Sequence, residues 1–176
     1  MDKQLLRHYI RSEKNKHTVE ERRLESEVIW RRLEEYPLFQ AAHTILAYHA
    51  LPDEVQTDSL LERWYGYKRF VLPVVCGDEL ELRLYTGETD MQTGAFGIRE
   101  PNGEPFTAFD ELDLMLIPGI AFDADGHRLG RGKGFYDRLL ARLRPYGIPT
   151  LGVCFDYQRV ACVPTETHDF TMDALL

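Results

Sequence analysis

The stretch LDLMLIPGIAFDADGHRLGRGKGFYDRLLARLR, residues 112–144, decides how the chain is read. Residues 112–118 are an almost unbroken apolar run closed by Pro118-Gly119. That is the signature of a central parallel strand, whose two faces are both covered. A glycine-rich loop follows, from Gly119 to Gly134, and FYDRLLARLR (135–144) reads as a helix. Strand, glycine loop and helix in succession are one half-turn of an α/β fold.

The same alternation runs outward on both sides. Upstream, ELELRLY (79–85) alternates apolar and charged residues, as a half-exposed antiparallel strand does, and RFVLPVV (69–75) precedes it across a Gly77-Asp78 turn. Asp53 is placed to cap a helix from Glu54 to about Tyr65, after a buried strand at ILAYHA (45–50). Thr18 and Glu21 fit a capping box, so a second helix should run to about Glu35, burying Leu24, Val28 and Leu33 and ending before Pro37. Residues 2–16 read as a first helix, with Lys3, Arg7, Arg11 and Lys14 on one face. Downstream, PTLGVCF (149–155) is a further strand, followed by a short tail. Residues 86–109 are rich in Gly, Thr, Pro and Asn without period, and a loop of that length is usually functional. The expected class is α/β: a mainly parallel sheet with an antiparallel edge, helices on both faces, and one domain over 1–176.

With 21 Lys and Arg against 29 Asp and Glu, the net charge of -8 argues against wholesale binding to nucleic acid or anionic lipid. The first 34 residues have a net charge of only +2, and their aromatics do not interleave with cations as a stacking platform needs. Any bound anion must be caught by a local basic pocket. No apolar run is long enough to span a membrane, and the N-terminus is too polar for a signal peptide. Cys76, Cys154 and Cys162 are odd in number and widely spaced, which reads as reduced core thiols in a cytoplasmic protein.

The glycine loop sits where open α/β sheets bind ligands, after the carboxyl end of a strand. Closely spaced glycines let amide N–H groups converge on an anion, and the following helix adds the positive end of its dipole. Arg128, Arg131 and Lys133 supply full charges, so the segment suits a polyphosphate. It equally fits a solvated loop whose cations face water. It is neither a Walker A motif nor the dinucleotide fingerprint, because its glycines are spaced GxGxG. Asp137, in the first turn of the helix, could satisfy the dipole or meet a Mg²⁺ riding on phosphates, with Asp169 as a second carboxylate.

GIAFDADGHRLGRGKGFYDR resembles the signature of the 5-formyltetrahydrofolate cyclo-ligase family. Lys3 to Arg7, Leu51 to Thr57, Phe96 to Pro101, and Val163-Pro164 with His168-Asp169 agree with further family segments in order. The resemblance spans essentially the whole chain. It implies a Rossmann-like three-layer αβα fold and ATP-dependent conversion of 5-formyltetrahydrofolate, polyglutamylated or not, into 5,10-methenyltetrahydrofolate with Mg²⁺. It also implies a cytoplasmic enzyme, a monomer or weak homodimer, with no nucleic-acid or membrane partner.

Carried over by position, Lys3, Arg7, Arg128, Gly130, Arg131, Gly132, Lys133, Gly134, Phe135 and Tyr136 would bind ATP. Arg131 and Lys133 would act on the transferring phosphoryl group. The folate would meet His49, Leu51, Glu54 and Phe96, together with Arg131, Gly132, Lys133, Gly134 and Phe135. Asp137 and Asp169 would hold Mg²⁺. Without the resemblance, Lys3 and Arg7 read as a solvated basic face, Glu54 as a helix N-terminal charge and Phe96 as a core aromatic. Two other readings compete: a folate or nucleotide binder without turnover, and a different ATP-dependent phosphotransferase acting on a small anion.

Overall fold

A computed structural model describes residues 2–167 and 169–176; His168 of the C-terminal signature lies outside the described residues. The elements in chain order are α1 (Lys3–Lys14), α2 (Val19–Glu34), α3 (Pro37–Ala41), β1 (Thr44–Leu46), α4 (Asp58–Trp64), β2 (Arg69–Cys76), β3 (Glu79–Leu84), β4 (Met91–Thr93), β5 (Arg99–Pro101), β6 (Leu114–Pro118), β7 (Ala121–Phe122), β8 (Arg128–Leu129), α5 (Phe135–Leu143), β9 (Thr150–Val153) and β10 (Ala174–Leu175).

The main sheet has six strands in the order β10-β9-β6-β1-β2-β3. Every pairing is parallel except β2 with β3, which forms the antiparallel edge. Strand alternation splits the core in two. Ile45, Ala47, Phe70, Leu72, Leu114 and Leu116 point to one face, where Ile29, Trp30 and Leu33 of α2, Phe39 of α3 and Leu60 and Leu61 of α4 cover them. Leu46, Val71, Met115 and Ile117 point to the other, beneath Leu139, Leu140 and Leu143 of α5. This is the three-layer α/β/α arrangement expected from the sequence.

Several local expectations are corrected. The Thr18–Glu21 capping box forms, but α2 buries Ser26, Ile29, Trp30 and Leu33, while Leu24 and Val28 are exposed. Spacings of three and four from Ser26 define the stripe; Leu24 and Val28, two residues either side of it, fall on the opposite face. Pro37 does not simply follow α2 but opens α3, where its missing N–H costs nothing. Residues 54–57 are not helical, and α4 begins at Asp58. Gln56 ties its side chain to the carbonyls of Leu51 and Glu54, which holds a turn in place of a helical start. Only Cys154 is a core thiol, its pKa pushed up to about 11 by burial, whereas Cys76 and Cys162 are exposed.

Two segments read as loops contain hairpins. Within residues 86–109, β4 and β5 pair antiparallel and carry Phe96 at their tip. Within the glycine-rich segment, β7 and β8 pair around a turn built on Asp123, whose carboxylate accepts from the amides of Asp125, His127 and Val163. The tail adds β10 to the sheet, where Asp173 accepts from the amide and hydroxyl of Thr150. Among the described residues, no helix is long and apolar enough to cross a membrane.

Candidate active site

β1 lies between β6 and β2, so the chain leaves the sheet in opposite directions on either side of β1. Open α/β sheets bind ligands at such a switch point. Here a cleft of about 330 Å³ opens at the carboxyl ends of β1, β2 and β6. The β1–α4 loop supplies Tyr48, His49, Leu51 and Glu54, β2 supplies Pro73 and Val75, and the β4–β5 hairpin supplies Phe96, Ile98 and Glu100. Arg128, Gly130, Arg131, Lys133, Gly134, Phe135, Tyr136 and Asp137 complete the wall from the glycine segment and the start of α5.

The β1–α4 loop is fixed from below by α2. Ser26 Oγ accepts from the Gln56 amide and Trp30 Nε1 donates to the Gln56 carbonyl, while Tyr48 OH donates to the Val55 carbonyl. Glu54 is thereby held at 9% exposure, with Oε2 accepting from the Leu51 amide at 2.9 Å. Burial raises its carboxyl pKa above the ordinary 4.5, and the nearby Arg131 charge offsets this only in part. Arg131 bridges Asp53 and Glu54: Nη2 lies 2.6 Å from Asp53 Oδ1 and 3.2 Å from Glu54 Oε1. For Asp53 burial also acts to raise the pKa, but the Arg131 hydrogen bond and charge prevail and hold it below its ordinary value.

The glycine loop bends where only glycine does so without strain. Gly132 has φ +98° and Gly134, at the N-cap of α5, has φ +69°. With no side chain at that N-cap, the first amides of α5 are left for a ligand at the cleft. Arg138 braces the loop through the carbonyls of Lys133 and Asp78. Lys133 Nζ lies 5.8 Å from the Phe96 ring centroid, and Phe96 and Phe135 lie 6.3 Å apart. Phe96 is 66% exposed and has φ +59°, a strained backbone for a bulky residue and an indication of a constrained functional position. It is an exposed aromatic at the cleft mouth, not a core residue.

Arg128 is buried, donates to Asp137 Oδ1 at 2.8 Å and to the Pro118 carbonyl, and keeps its Nε without a hydrogen-bond partner. Asp137 therefore lines the cleft with one oxygen engaged by a cation. α1 lies over the glycine segment, with Leu6 and Ile10 packed on Ala121, Leu129 and Val163. Its Arg7 donates to the Gly130 carbonyl at 2.9 Å and faces Gly132. Lys3 pairs with Asp169 at 2.8 Å and Glu166 at 3.2 Å, and although burial opposes its charge, these two carboxylates raise its pKa. A second cavity of about 120 Å³ lies between α1 and the loop, lined by Arg7, Arg11, Lys14, Asp53, Arg131 and Tyr157 among others.

The structure thus gathers His49, Leu51, Glu54, Phe96, Arg128, Gly130, Arg131, Lys133, Gly134, Phe135, Tyr136 and Asp137 around one cleft. Gly132 and Arg7 adjoin it through the loop backbone. Lys3 and Asp169 form a separate pair beside α1 and are not among the cleft's lining residues. The cleft also takes Tyr48, Pro73, Val75, Leu80, Ile98 and Glu100, which no motif in the sequence marks as site residues. Glu100, buried with Oε1 accepting from the Val75 amide, carried no motif beyond its place in the Phe96–Pro101 segment. Among the described residues, two groups bring three metal-binding atoms within 4.8 Å of one another: His49, Asp58 and Glu88 at the rim, and Asp123, Asp125 and His127 in the hairpin turn.

The sequence model of the 5-formyltetrahydrofolate cyclo-ligase family matches residues 1–176. The chain belongs to that family. It is thereby a member of a family of ligases. The 5-formyltetrahydrofolate cyclo-ligase of Escherichia coli K12 is 32% identical over 152 residues, covering 82% of this chain and 83% of that protein. The mouse 5-formyltetrahydrofolate cyclo-ligase is 26% identical over 179 residues, covering 90% and 85%. Among solved structures, the Aquifex aeolicus 5,10-methenyltetrahydrofolate synthetase superposes with a TM-score of 0.88 at 34% identity, over 99% of this chain and 89% of that one. The Mycoplasma pneumoniae 5,10-methenyltetrahydrofolate synthetase gives 0.79 at 25% identity, over 99% and 98%.

Proposed function

We propose that this protein, acting as one cyclo-ligase domain over residues 1–176, converts 5-formyltetrahydrofolate into 5,10-methenyltetrahydrofolate at the cost of ATP. The observation that carries the reading is the composition of a single cleft: a buried carboxylate and an exposed aromatic face a glycine loop bearing three cations. A pterin presents N–H donors and a flat ring; a nucleotide presents phosphates. Glu54 accepts from the pterin donors, and Phe96 stacks on the ring. His49, Leu51 and Phe135 line the same pocket.

The formyl oxygen is a poor leaving group as water. It attacks the γ-phosphorus of ATP, forming an O–P bond as the bond to ADP breaks. N10 then attacks the formyl carbon and gives up its proton to solvent, the C–O bond breaks, and that oxygen departs within inorganic phosphate. The protein's share is positioning and charge neutralisation. Lys3, Arg7, Arg128 and the Gly130–Tyr136 segment hold the nucleotide, and Arg131 and Lys133 stabilise the transferring phosphoryl group. Asp137 and Asp169 are the carboxylates we assign to a metal; Asp137 has one oxygen on Arg128 and Asp169 pairs with Lys3, so each would exchange a cationic side chain for the ion. Mg²⁺ held by Asp137 and Asp169 would neutralise phosphate charge, as suits an ion that takes one or two carboxylates and keeps waters.

An isotope experiment tests the chemistry. With ¹⁸O in the formyl group, the label is expected in inorganic phosphate after one turnover. Label released into water instead would refute phosphorylation of the formyl oxygen.

A further inference from the structure

Among the described residues, Arg131 is the one that lines both the main cleft and the smaller cationic cavity beneath α1. Asp53 lines the smaller cavity and Glu54 the main cleft, so neighbouring carboxylates face different spaces and meet at one guanidinium. We propose that Asp53 is a positioning residue of this site: it shares Arg131 with Glu54, and so keeps the Glu54 carboxylate available to a ligand in the main cleft. The inference rests on the proposed folate site in the main cleft, and it takes the smaller cavity, which Arg7 also lines, as the place where the nucleotide's phosphate chain reaches Arg131.

The contact lengths support this division. Asp53 takes the short bond, 2.6 Å from Nη2, and a second contact of 3.3 Å from Nη1. Glu54 takes only long ones, 3.3 Å from Nε and 3.2 Å from Nη2, both on Oε1. Charge-assisted bonds of this kind are strongest near 2.7–2.9 Å, so most of the pairing lies with Asp53. Glu54 Oε2 is already engaged by the Leu51 amide. Oε1 is therefore the atom that must change partner when ligand donors arrive.

With Asp53 neutralised, Arg131 has one carboxylate left, and it is the buried one. The guanidinium then competes with the ligand for Oε1. A phosphate chain in the smaller cavity would draw Arg131 away again, replacing Asp53 as the competing anion. Lys14, 3.7 Å from Asp53, would lose its partner and leave that cavity more cationic, so nucleotide binding would not suffer. The resulting signature is conditional: folate binding weakens only when the nucleotide is absent.

Calorimetric titration of 5-formyltetrahydrofolate into wild type, Asp53→Asn and Asp53→Glu, each with and without Mg²⁺ and the β,γ-imido analogue of ATP, reads this directly. Asp53→Asn should bind folate about tenfold more weakly without nucleotide, within the range typical of coupled sites. With the analogue present, the loss should shrink to about twofold or less. Asp53→Glu should follow wild type in both conditions. Asp53→Ser, run in the same titrations, should repeat the Asn pattern and covers the case in which the Asn variant folds poorly. Equal folate affinity in wild type and Asp53→Asn, or a loss of the same size with and without nucleotide, would overturn the inference alone. A wild-type protein that binds neither ligand would overturn it together with the proposed function.

Discussion

Replacing Glu54 with Gln separates its proposed role in folate binding from its role in the fold. The carboxylate is nearly fully buried, and burial raises its pKa, so at neutral pH its charge is held against a desolvation cost. What offsets that cost is a pair of Arg131 contacts at 3.2 and 3.3 Å and one amide at 2.9 Å. Gln is isosteric, keeps an oxygen for the Leu51 amide, and leaves Arg131 on Asp53. Because 39% of the Arg131 side chain is exposed, the lost ion pair is worth at most about 1 kcal/mol. Stability should therefore stay within about 1 kcal/mol of wild type, or rise slightly. Catalysis should not be spared. A charge-assisted hydrogen bond to the pterin contributes about 1.5–3 kcal/mol, so kcat/KM for 5-formyltetrahydrofolate should fall roughly 10- to 150-fold. Thermal unfolding and the near-ultraviolet absorbance of the methenyl product read the two quantities on one sample. An unchanged kcat/KM would show that Glu54 does not hold the pterin, and a large drop in melting temperature would show that its charge is needed by the fold.

The same raised pKa fixes a pH dependence. If Glu54 accepts from the pterin as proposed, binding needs its ionised form, so the acid limb of kcat/KM should have its midpoint above the ordinary glutamate value of 4.5, and Glu54→Gln should flatten it. The stability effect has the opposite sign. A carboxyl whose folded pKa is raised contributes stability at low pH that is lost as pH rises through that pKa, so Glu54→Gln should gain on wild type above it. Phe96→Ala should raise KM for the folate roughly 5- to 10-fold, the worth of one aromatic stack, with the melting temperature unmoved because the ring is 66% exposed. Leu60→Ala, in the fully buried core between α4 and the sheet, should destabilise by about 2–5 kcal/mol in chemical denaturation.

The elements read most plainly from the sequence are those whose signal is local. β6, the glycine segment and α5 each announce themselves in one stretch, and β3 shows its edge position by alternating charge. The cleft's glycine-loop wall was legible for the same reason. What the sequence did not show are contacts across distance. The bridge from Arg131 to Asp53 joins residues 78 apart, and nothing near Asp53 distinguishes a helix cap from an ion-pair partner. β10 has two residues and depends on Asp173 reaching Thr150, a contact without a pattern of its own. The buried stripe of α2 was misplaced because its anchor is Ser26, a residue that reads as surface until its hydroxyl is seen bonding the Arg22 carbonyl and the Gln56 amide.

ATP-driven ring closure at the Lys133-bearing loop is the activity proposed for this protein. The most direct measurement follows methenyl product by absorbance with 5-formyltetrahydrofolate, ATP and Mg²⁺, omitting each in turn, for wild type and Lys133→Ala. Product should form only in the complete mixture. Lys133→Ala should fold normally, since its side chain is exposed, and lose roughly 10²- to 10³-fold in rate. Absence of product from folded wild type, or a Lys133→Ala variant as fast as wild type, would contradict it.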